Sequence, residues 1–108
     1  MHNAAALCLG VALAGLGTAP ATAEISAARA AALEHVVVQD CGSCHGLVRK
    51  GGLGSPLTRE ALAHAAPEAL AAIILDGIPG TAMPPWRALL TEAEALWMAE
   101  YLLKEPAQ

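Results

Sequence analysis

The chain has 108 residues, 56% of them hydrophobic, with ten acidic side chains against six basic ones and a net charge of −4. That balance, with no basic block, argues against nucleic acid and against an acidic surface as partner. With no Phe, one Tyr and two Trp, a chain of this size is short of bulky core residues and needs a staple or a cofactor.

No charged residue precedes Glu24. The run Ala4 to Gly17, AAALCLGVALAGLG, is too short to span a bilayer comfortably, and Ala21-Thr22-Ala23 has the small-x-small pattern of a cleavage site. Residues 1–23 therefore read as a secretory signal peptide that removes Cys8 with it, although His2 stands where a Lys or Arg is usual. What remains, 24–108, is one domain with Cys41 and Cys44 as its cysteines, too close together to staple a fold.

The mature part reads as all-α. Ser26 is an N-cap for SAARAAALEHVVVQD, which sets Leu33, Val36 and Val37 at helical spacing and runs directly into Cys41. GLVRKGGLGSPL follows as irregular backbone, broken by its glycines and proline. Thr58 caps a short helix through about His64, and Pro67 opens PEALAAIILD, which Gly77 ends. GIPGTAMPPWRALL is a Gly/Pro loop, and the capping box Thr91-Glu92-Ala93-Glu94 starts a last helix to about Leu103, with Leu90, Ala93, Trp97 and Tyr101 along one face.

Cys41-Gly42-Ser43-Cys44-His45 is the chemically charged point of the sequence. A redox dithiol needs a strand-to-helix turn that this chain does not offer, and a zinc site lacks a second pair of ligands, since His35 and His64 lie in helical segments. Cys-x-x-Cys-His is instead the pattern of covalent haem attachment, with two thioethers to the porphyrin and an imidazole on the iron. Small Gly42 and Ser43 let the chain pass close to a macrocycle edge, and an exported chain meets haem where that attachment occurs. One haem c is thus expected, in the periplasm, with no membrane segment after cleavage.

The sixth iron position has Met83, Met98, His35, His64 or nothing to fill it. Met83 is favoured, because Pro84 and Pro85 stiffen the loop that carries it and a weak thioether needs a stiff holder. Met98, inside the last helix, reads as packing or surface, and His64 as a helix-end residue. An open or His-ligated iron is the alternative, which would make the protein a peroxidase-like enzyme or a ligand sensor. No catalytic constellation stands out beside the haem, so the expected role is electron transfer and not catalysis.

Taken together, helix, CGSCH, Gly/Pro loop, Met loop and last helix resemble a class I cytochrome c over residues 26 to 104. More narrowly, CGSCHGLVRKGGLGSPLTREAL with ILDGIPGTAMPPWRALLTEAEALWMAEYL resembles the NirC family of small cytochromes encoded with cytochrome cd1 nitrite reductase in denitrifying bacteria. The resemblance implies thioethers at Cys41 and Cys44, His45 as proximal and Met83 as distal ligand. It implies a proline carbonyl accepting the imidazole N–H, here matched by Pro56, with Ser55 inserted where Gly usually precedes that proline. It also implies a contact of Trp97 and Tyr101 with the segment around Ala32 and Val36, and Trp86 near a propionate or in plain packing. Arg49, Lys50 and Arg87 read as solvated surface charges, the alternative being propionate partners or a docking rim. The expected protein is a monomeric periplasmic electron carrier whose partners are cytochrome cd1 nitrite reductase or a d1 haem maturation protein, the alternative being another periplasmic dehydrogenase or oxidase.

Overall fold

The computed structural model describes residues 24–107 together with Gly15 and Gly17. Apart from those two glycines, the leader expected at 1–23, with Cys8 and its cleavage site, lies outside the described residues. Four helices carry the fold: α1 (Ala27–Val36), α2 (Gly42–His45), α3 (Pro67–Asp76) and α4 (Glu92–Lys104), and no strand occurs among the described residues. None of the helices is long and apolar enough to cross a membrane.

The helix starts follow local chemistry. Ser26 Oγ accepts from the Arg29 amide at 3.1 Å, and Thr91 Oγ1 from the Glu94 amide at 3.1 Å, so each cap satisfies an N-terminal donor that the helix leaves open. Pro67 occupies the first turn of α3, where a missing N–H costs nothing. Glu94 is also gripped by Arg29, whose Nε donates to its Oε2 at 2.8 Å. This pair fastens the start of α1 to the start of α4.

Between α1 and α2 the helix widens into a π turn, Val37–Cys41, in which the Gly42 amide reaches back five residues to the Val37 carbonyl. Single π turns of this kind occur where a helix delivers functional side chains. The expected helical approach to Cys41 is therefore present, with one turn loosened immediately before the motif.

The expected helix from Thr58 to His64 does not form. Thr58 caps as a helix start would, accepting from the Ala61 amide at 3.2 Å, and Leu62 bonds the Thr58 carbonyl at 3.1 Å. After that the bonds shorten to three-residue turns, because Pro67 drives Ala66 into extended backbone (φ −76°, ψ 142°). Too few residues remain to offset helix nucleation.

The core joins Leu33 and Val37 on the first helical stretch to Ala71, Ile74 and Leu75 of α3, to Leu90, and to Ala95, Met98, Ala99 and Leu102 of α4. Each fully buried Leu or Met contributes about 1.5–3 kcal/mol by leaving water. The buried face of α4 thus differs from the expected stripe of Ala93, Trp97 and Tyr101. Ala95 and Ala99 are small enough to let neighbouring backbones approach, so they face inward, while Trp97 and Tyr101 stack on each other at the border with ring centroids 5.3 Å apart. Val36 packs on this core as expected, whereas Ala32 is exposed and Leu33 takes its place. Met98, at 1% exposure, is a core side chain.

Candidate haem-attachment site

Cys41 ends the π turn and Cys44 lies three residues on, within the short helix α2, a spacing at which helical residues are surface neighbours. Cys41 is half-buried and Cys44 exposed, and neither is in a disulfide. Burial pushes the Cys41 thiol up to about 11, and the charge of Asp40 adds to the shift. A dithiol oxidoreductase needs the opposite, a nucleophile with a lowered pKa. Ser43 Oγ turns back to the Asp40 carbonyl at 2.7 Å, and Gly42 is buried against Leu47, which a Cβ there would meet at 3.3 Å. The small residue at 42 serves the close approach of the chain's own loop.

His45 ends α2, and its Nδ1 lies 2.6 Å from the carbonyl oxygen of Ser55. A carbonyl only accepts, so Nδ1 carries the proton and Nε2 is left with a free lone pair, the form in which an imidazole binds a metal. The expected acceptor was Pro56; the carbonyl belongs instead to Ser55, one residue earlier. Gly54 sits directly beneath the ring, since a Cβ there would come within 2.7 Å of both Cε1 and Nδ1.

The segment that supplies Ser55 is sewn to the motif by its backbone. Gly51 donates to the His45 carbonyl at 2.8 Å, Gly54 to the Cys44 carbonyl at 2.8 Å, and Leu57 to the Arg49 carbonyl at 2.9 Å. Arg49 departs from the surface reading: it is 6% exposed, and its Nη2 donates to the Glu105 carbonyl at 2.9 Å. Lys50 is exposed, as expected. Arg87 is exposed too, pairing with Asp76 at 2.8 Å and Glu92 at 3.4 Å, and this holds the Asp76 carboxyl below the usual carboxylate range.

Met83 lies half-buried in the loop between α3 and α4. Its amide donates to Thr81 Oγ1 at 3.3 Å, its carbonyl accepts from the Ile78 amide at 3.2 Å, and Thr81 Oγ1 in turn donates to the Ile78 carbonyl at 2.7 Å. Gly77 closes the far side with φ 65° and ψ −171°, backbone that essentially only glycine adopts. The loop then rejoins the core through Trp86, whose amide donates to the Ile74 and Leu75 carbonyls and whose ring packs on the core edge. His35 and His64 are both exposed. Among the described residues no three His, Cys, Asp or Glu side chains gather into a metal-binding group.

This chain fits a haem c. It offers paired thiols with a correctly tautomerised imidazole beside them, a rigid loop with a thioether, and uncovered apolar side chains such as Leu47, Ile73, Ile78 and Leu53, the last 94% exposed. Helices enclosing such a set, with the motif at the end of the first and the Met loop before the last, define a class I cytochrome c.

Comparison with known proteins agrees. A family model described as "Cytochrome C oxidase, cbb3-type, subunit III" matches residues 28–102. Cytochrome c55X of Paracoccus denitrificans (strain Pd 1222) is 63% identical over 78 residues, which is 72% of this chain and 76% of that one. Among solved structures, the c-type cytochrome NirC is 49% identical with a TM-score of 0.71, over 73% of this chain and 93% of the other. Dihydro-heme d1 dehydrogenase NirN, in complex with DHE, is 35% identical with a TM-score of 0.63, covering 69% of this chain but 16% of that much longer one. The chain belongs to this family of c-type cytochromes and is a NirC-like class I cytochrome c. It accordingly binds haem c covalently and moves electrons, as small cytochromes do, and is not an enzyme.

Proposed function

We propose that this protein is a periplasmic carrier of single electrons in denitrification, exchanging them with cytochrome cd1 nitrite reductase or with a protein that matures its d1 haem. Residues 1–23 direct export; Cys41 and Cys44 would hold the haem through thioethers, and His45 and Met83 would supply the ligands to its iron. When bound, the haem supplies a one-electron Fe(II)/Fe(III) couple. The chain's own residues do the rest. Ser55 holds the His45 ring in the metal-binding tautomer, and Gly54 leaves room for it. Thr81 and Gly77 hold the Met83 backbone in one position, so that a weak thioether donor stays in place through both oxidation states.

The observation that carries this reading is the 2.6 Å contact between His45 Nδ1 and the Ser55 carbonyl, which readies Nε2 for iron. Support for the setting comes from the likeness to NirC and to the dihydro-heme d1 dehydrogenase. The test is anaerobic stopped-flow mixing of the reduced holoprotein with each oxidised partner. The expected result is loss of the reduced α band, one electron per molecule, at a second-order rate on the order of 10⁶ M⁻¹ s⁻¹ that changes with ionic strength. No transfer to either partner, while a small artificial oxidant still reacts, contradicts the assignment to denitrification.

A further inference from the structure

Arg49 combines three features that a surface arginine does not show. It is 6% exposed, its backbone is left-handed at φ 60°, and its Nη1 is buried with no protein partner. A non-glycine residue in that backbone region and a desolvated guanidinium are each costly, so the surrounding structure must hold this side chain in place.

What it touches explains the placement. Nη2 donates to the Glu105 carbonyl, just past the last turn of α4, and the guanidinium lies over the Tyr101 ring, 5.7 Å from its centroid. A cation there also complements the negative end of the helix dipole. Arg59 reaches the same helix end, with Nη1 3.5 Å from the Lys104 carbonyl. The two arginines bracket the segment that carries Gly54 and Ser55. Through its own backbone Arg49 ties that segment down: its amide donates to the Gly46 carbonyl and its carbonyl accepts from Leu57, each at 2.9 Å.

We infer that Arg49 is the positioning residue of the proximal side, anchoring the 46–57 loop to the C-terminal end of α4 so that the Ser55 carbonyl stays on His45 Nδ1. Because it concerns the same histidine, the inference rests on the reading of His45 as the proximal ligand. Its consequence is that the strength of the His45–Ser55 bond, and through it the basicity of the imidazole, is set by a side chain that touches neither residue.

The test uses the haem-loaded protein and its Arg49→Met and Arg49→Lys variants. Hydrogen exchange is read at the His45 ring N–H and at the Gly51 and Gly54 amides, with the buried Leu75 amide of α3 as reference. Arg49→Met should accelerate exchange at the three loop-side protons tenfold or more while Leu75 keeps its wild-type rate, and should raise the reduction potential as the imidazole loses its acceptor. Arg49→Lys, which keeps a cation over Tyr101 but loses the fork, should fall between. Wild-type exchange in Arg49→Met overturns the inference, as does equal acceleration at Leu75, which marks general loosening. If Arg49→Met yields no holoprotein, Arg49→Lys decides on the same two readouts. Paramagnetic displacement of the His45 ring protons in the ferric protein tests the ligand assignment separately, since loop exchange responds to the anchor whichever residue binds iron.

Discussion

Met83→Ala is expected to abolish the near-infrared absorption of a Met–Fe(III) bond and to lower the reduction potential by a few tenths of a volt, part of the ~0.8 V span that axial ligands command. A neutral thioether favours Fe(II) over Fe(III), so its loss stabilises the oxidised form. The control is the other methionine within reach of the argument. Met98 is 1% exposed at the centre of the core, so Met98→Ala should cost about 2–5 kcal/mol in a urea titration while leaving the near-infrared band intact. The two variants separate ligand from packing in one experiment. If Met98→Ala removes the band and Met83→Ala keeps it, the distal assignment is wrong.

Gly77→Ala should be nearly as damaging although it replaces no ligand. A Cβ at position 77 would lie 2.6 Å from the Met83 carbonyl oxygen, 2.8 Å from Pro84 C and 2.9 Å from Pro85 N. All three are backbone atoms, two of them in prolines, so no flexible side chain can move aside. The strained φ costs about 1–3 kcal/mol and the overlap a similar amount again, giving a total of about 2–6 kcal/mol. Relief comes from displacing the Met83 segment. The readouts are a lowered urea midpoint and a weakened near-infrared band in the same variant. Full stability with an unchanged band would mean that Gly77 does not hold the loop.

The parts of this molecule legible in its sequence are those decided within a few residues. Ser26, Thr91, Pro67 and Gly77 act on backbone groups no more than one turn away, and all four mark helix ends as their chemistry demands. Cys41, Cys44 and His45 are likewise a local pattern, and their arrangement follows from adjacency. The features that escape sequence reading depend on residues far apart. Arg49 is buried because of Tyr101 and Glu105, more than fifty positions away, so its charge alone suggested solvent. The innermost face of α4 escapes sequence reading for a related reason. Size and hydrophobicity single out Trp97 and Tyr101, but the space between close helices admits Ala95 and Ala99. The 58–64 turns had the right cap and too little length, which only the extended Ala66 before Pro67 reveals. The shift of the acceptor from Pro56 to Ser55 was signalled by the inserted serine, though not the carbonyl that would result.

The central claim is that Cys41, Cys44 and His45 form one covalent haem site in an exported protein. It is tested most directly by mass spectrometry of trypsin-digested protein from a periplasmic extract, treated beforehand with a thiol-alkylating reagent. Cleavage after Arg29 and Arg49 releases Ala30 to Arg49, which contains the whole motif. The account predicts this peptide with one haem attached, both cysteines unalkylated, and a chain that begins at Glu24. The same peptide without haem mass and with both Cys41 and Cys44 alkylated would contradict it.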